Sequence, residues 1–112
     1  MAREKVKLSL PQEPAELRAE TRDLLEESPE EGSLKISDAR FVADLLWEEW
    51  GEDLKESGMD YGRFVEISRG YANELRLWVV GERPWDHCVA GLAGRITRRL
   101  PNKYKTLTEV SR

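Results

Sequence analysis

Residues 61–100 constrain this chain most: two apolar-periodic stretches, joined by Gly81-Glu82-Arg83-Pro84, carry its densest hydrophobic material. In the first, Tyr61, Phe64, Val65, Ser68, Tyr71, Ala72, Leu75, Trp78 and Val79 recur in steps of three and four. Such spacing keeps them on one face of a 3.6-residue helix. Trp85, Cys88, Val89, Leu92, Ile96 and Leu100 repeat the pattern in the second. The pair must bury those faces against something, so the remainder of the chain is expected to cover them.

Two more helices supply the cover. Pro14 suits a first helical turn, where its missing N–H has no intrahelical partner to lose, and Leu17, Thr21, Leu24 and Leu25 form a narrow stripe over 14–27. A Pro- and Gly-containing acidic loop is expected over 28–33. Ser37 then offers a hydroxyl to cap a helix over 37–57, with Ile36 and Phe41 spaced as a hydrophobic staple. Gly58 and Asp60 form a tight link, the glycine closing one helix and the aspartate capping the next over 61–80. Gly81 stops that helix, Pro84 opens the last one over 84–100, and Pro101 ends it.

The expected fold is therefore all-α: one domain, residues 1–112, built as a compact antiparallel four-helix bundle. Extended termini flank it. Val6, Leu8 and Leu10 alternate with polar residues in an arm over 1–12, and Thr106, Thr108 and Val110 alternate in a tail over 101–112. The two are expected to pair as a ribbon or to exchange between subunits. A chain of 112 residues with 39% hydrophobic content and four tryptophans can fill one modest core.

Several function classes recede at this level. The most apolar run, 75–81, is interrupted by Arg76, whereas a bilayer span needs ~20 apolar residues. No membrane partner is expected, nor a secretory leader, because no apolar segment follows Met1-Ala2-Arg3-Glu4-Lys5. A single cysteine forms no internal bridge, and the expected compartment is the cytoplasm.

Asp86-His87-Cys88 opens the last helix, where the dipole could activate a thiol. However, Cys88 falls in the apolar stripe and His87 about 100° away, so no nucleophile and base result. Glu48, Glu49, Glu52, Asp53 and Glu56 cluster on the 37–57 helix, yet a solvated face explains them, with Glu49 and Asp53 expected to meet Arg69 or Arg76. An enzyme using these carboxylates is the least favoured class. No Gly-rich phosphate loop, nucleophile elbow or dinucleotide fingerprint occurs, so no cofactor is expected, and one His with one Cys lacks metal-ligand spacing.

Two surfaces point outward instead. Residues 1–60 hold 8 Lys/Arg against 17 Asp/Glu, whereas 95–112 hold 6 against 1. The basic end, with Arg95, Arg98, Arg99, Lys103 and Lys105, could bind phosphates of a nucleic acid or pair with the acidic half. A net charge of -4, and Asp86 at the start of the last helix, count against DNA. The second surface is apolar: Phe41, Leu45 and Trp47 spill off the stripe of the 37–57 helix, and Ala90, Ala93, Gly94 and Thr97 give the last helix a small-residue face. The favoured expectation is a non-enzymatic interaction module, a homodimer or adaptor, using that second surface.

Overall fold

The computed structural model describes residues 7–100 and 109–111. The expectations for 1–6, 101–108 and 112, Lys103 and Lys105 among them, lie outside the described residues. The chain is mostly helical, as the periodicity requires. Its order is β1 (Lys7–Ser9), α1 (Ala15–Glu27), α2 (Pro29–Asp38), α3 (Arg40–Glu56), α4 (Tyr61–Arg69), α5 (Ala72–Val79), α6 (Trp85–Arg98) and β2 (Glu109–Ser111). Six helical segments thus stand among the described residues where four helices were expected.

The first departure is α2. Residues 28–33 are not a loop: Pro29 takes the first helical position, and Glu30 and Glu31 complement the positive dipole end. Gly32 does not break this helix but lets it approach α1, since a Cβ there would lie 2.8 Å from the backbone N of Leu25. Ser37 accordingly sits inside α2, exposed, and caps nothing. The joint is Ala39, buried and left-handed at φ 57°. Its N–H donates to the Lys35 carbonyl and its own carbonyl accepts from Ala43, each at 3.0 Å, so one residue satisfies both helix ends while turning the chain.

The second departure divides 61–80 at Gly70 and Tyr71 into α4 and α5. Tyr71, with φ -103° and ψ 11°, leaves helical geometry while its ring stays in the core. Other punctuation matches the expectation: Asp60 accepts the Arg63 amide at 2.8 Å as the α4 cap, and Gly58 and Gly81 take positive φ after α3 and α5.

The core draws on β1 and on α3, α4, α5 and α6, with half-buried Leu25 of α1 packed against it. Trp50, Trp78, Phe64, Leu8, Leu46, Leu54, Leu75, Leu92 and Ile96 are its largest fully buried groups, each worth roughly 1.5–3 kcal/mol of transfer free energy for the aliphatics and more for the indoles. Helix α3 packs on α4 through Phe64, whose ring lies 5.2 Å from Trp47 and 6.3 Å from Trp50. Trp78 of α5 meets Trp85 of α6 at 4.7 Å. Buried Thr21, Ser57, Ser68 and Thr97 each donate to the carbonyl four residues back, which removes the cost of an unpaired hydroxyl. The termini meet as expected, and the pairing is parallel: Lys7 opposes Glu109, Leu8 opposes Val110 and Ser9 opposes Ser111.

Candidate interaction site

Residues 8–14, strand to Ser9 and then neither strand nor helix, run to the start of α1, and three of the four tryptophans are spent holding them. Trp50 of α3 donates its indole N–H to the Ser9 carbonyl at 2.7 Å. Trp85 of α6 donates to the Pro11 carbonyl at 2.7 Å, and Trp78 of α5 to a Glu13 carboxylate oxygen at 2.8 Å. The Ser9 and Pro11 carbonyls are two positions apart, the spacing at which an extended backbone turns its carbonyls to one side, and the third acceptor is a side chain. Leu8 is fully buried beside them and Leu10 half-buried, as their alternation predicts. Arg18 completes the seat, its Nε–H donating to the Trp78 carbonyl at 3.0 Å. Sequence reasoning placed the arm but missed its partners; four tryptophans in so small a chain, each needing an acceptor when buried, were the available signal.

The residues expected at an interface divide into two groups. Phe41 and Leu45, one turn apart, flank the buried stripe of α3 on one side and Trp47 flanks it on the other; all three pack against the core and are half-buried. Trp47 meets the 39%-exposed Tyr61 edge-on at 5.7 Å, Lys55 Nζ lies 5.7 Å from the Trp47 ring, and Lys35 Nζ lies 5.6 Å from Phe41. Tyr61 also hydrogen-bonds Asp44, which raises its phenol above the ordinary value. On α6, Ala93 and Thr97 are buried within the chain, Thr97 donating to the Ala93 carbonyl at 2.8 Å, whereas Ala90 and Gly94 are half-exposed. A Cβ on Gly94 would meet nothing within 4 Å. One helical turn earlier the situation reverses, because a Cβ on Gly91 would stand 1.9 Å from the Tyr71 hydroxyl. Gly91 is therefore the glycine that close approach requires.

The basic end is open on the described side. Arg95, Arg98 and Arg99 are exposed and form no ion pair among the described residues; Arg95 instead lies 5.0 Å above the Tyr71 ring. The ion pairs among described residues are Arg40 with Asp38, Arg63 with Glu66, and Arg83 with Glu74. Glu49 and Asp53 are exposed and meet neither Arg69 nor Arg76.

The α6 start separates as the wheel predicts. Cys88 is fully buried, its thiol donating to the Glu74 carbonyl at 3.3 Å, and His87 is exposed. Burial first, and Glu74 second, push the Cys88 thiol up to about 11, while Arg83 opposes them. Tyr71 is raised mainly by its burial, with Glu74 and Cys88 adding to it. Among the described residues no three of His, Cys, Asp and Glu are grouped to hold a metal ion, and no helix is long and apolar enough to cross a membrane. Comparison with family models, with curated proteins and with solved structures gives no match.

Proposed function

We propose that the chain is a small interaction module, non-enzymatic, that works as a homodimer or adaptor through the flanks of α3. The observation that carries this is the half-buried Trp47, continued by exposed Tyr61 on one flank, and half-buried Phe41 and Leu45 on the other. Aromatic groups that are partly held and partly open are the side chains that dominate binding energy at interfaces. In a self-association the natural receptor is the surface beside Ala90 and Gly94 of a second copy, where the open space above Gly94 admits a bulky group. An interface of about 800 Å² on each partner suffices when such anchors sit at its centre. The single buried thiol fits a cytoplasmic protein that does not rely on bridges.

Sedimentation equilibrium tests it. Wild type is expected to gain mass with concentration, and Gly94→Leu to remain monomeric with unchanged helical content. A wild-type mass that stays monomeric into the high micromolar range overturns self-association. A second reading rests on Arg95, Arg98 and Arg99, exposed and without carboxylate partners among the described residues. If these bind nucleic-acid phosphates, duplex binding at low salt is lost on Arg98→Glu with Arg99→Glu; no binding by wild type removes that reading.

A further inference from the structure

We propose that the surface formed by Trp50, Trp78 and Trp85 is a peptide-binding groove that residues 8–13 fill in cis, and that its ligand in trans is an extended, proline-containing acidic peptide of the pattern leucine-x-leucine-proline-x-glutamate. This rests on the reading of the chain as an interaction module and supplies that module with a ligand.

All three hydrogen bonds run from groove to segment: the groove supplies indole donors, and the segment supplies two carbonyls and one carboxylate. Recognition therefore uses no amide N–H from residues 9, 11 or 13, and proline at 11 loses nothing by lacking one. A groove of donors that reads alternate acceptors accepts an extended or polyproline-like backbone of many sequences. Selectivity comes from two places. The fully buried Leu8 seat demands an aliphatic side chain, and the Trp78 indole selects an acceptor at the Glu13 position. β2 pairs in register with Lys7, Leu8 and Ser9, so the start of a ligand in trans inherits a strand edge as well.

The cis segment is joined to α1 by Pro14 alone. Such tethering gives an effective concentration in the mM range, so a free ligand competes only when the cis contact is weakened. The closed form is thus self-inhibited.

The test uses the full chain as wild type, Leu8→Ala and Glu13→Ala, and a fluorescein-labelled synthetic peptide covering residues 7–14. Peptide anisotropy and the four indole N–H resonances are read together. The labelled peptide is expected to bind Leu8→Ala at least tenfold more tightly than wild type, moving the Trp50, Trp78 and Trp85 resonances and leaving Trp47 in place. A peptide with alanine for both Leu8 and Glu13 is expected not to bind. Should Leu8→Ala fail to fold, Glu13→Ala, altered at an exposed position, carries the test with about a threefold gain. The inference is overturned if released indoles bind no peptide. It is overturned equally if neither variant releases them, since the segment is then a fixed part of the core. It also fails if the variants exchange arms between copies while ignoring the peptide. Peptide binding by a wild-type chain that sediments as a monomer would remove self-association and keep the groove; a dimer that ignores peptide would do the reverse.

Discussion

The indole N–H of Trp50 and the carbonyl of Ser9, separated by 41 positions in sequence, lie 2.7 Å apart. With the equivalent bonds from Trp85 and Trp78, this contact fixes the path by which the chain enters its own core. Trp50→Phe removes the donor, strands the Ser9 acceptor and leaves unfilled volume around a residue that is 1% exposed. A destabilisation of roughly 1–3 kcal/mol is expected by urea unfolding. Trp47→Phe, at a half-exposed indole with no hydrogen bond among the described residues, should cost less than about 1 kcal/mol.

Two glycines one turn apart on α6 should respond oppositely. Gly91→Ala drives a methyl into the Tyr71 hydroxyl and should destabilise by about 1–3 kcal/mol, whereas Gly94→Ala enters open space and should stabilise by up to about 1 kcal/mol through helix propensity. Adding Tyr71→Phe to Gly91→Ala removes the nearest clashing atom and should recover part of the loss. Denaturant midpoints of the three variants and wild type decide this; equal effects at the two glycines would contradict the packing of Tyr71 on α6.

Helix ends that rest on a special residue were legible in the sequence, and those that rest on packing were not. Gly58, Asp60, Gly81 and Pro84 each offer a local property that the chain uses where expected. At Ala39 nothing local marks a turn: an alanine bears left-handed geometry because the helices on either side are held by their own burial. Gly32 misled in the other direction, since its lack of a side chain serves the approach of Leu25 and not a loop. The division at Tyr71 has the same origin, a ring whose place between α5 and α6 outweighs helical continuity. For the site, helical periodicity placed Phe41, Leu45 and Trp47 at the edges of the α3 stripe, yet could not separate half-exposed Gly94 from buried Ala93 and Thr97. The tryptophan seat of residues 9–13 depends on contacts across 41 to 74 positions, which no local pattern carries.

Cys88 should behave as an inert thiol. With the folded value raised from 9.0 to about 11, the unfolded chain releases its proton first as pH rises. The stability this protonated thiol contributes is therefore complete below pH 9 and is lost as pH rises through about 11. Native protein should react slowly with a neutral disulfide reagent and rapidly once unfolded, and Cys88→Ala should flatten the alkaline fall in stability. Fast stoichiometric labelling of the native thiol would contradict its burial.

The most direct test of the tryptophan seat is hydrogen exchange at the four indole N–H groups of the native chain, followed by NMR. Trp50, Trp78 and Trp85, each bonded to residues 9–13, should exchange slowly and lose protection together when the segment is released, while Trp47 exchanges fast from the outset. Four indoles with the same rapid exchange, or a protected Trp47 beside unprotected Trp50 and Trp85, would contradict it.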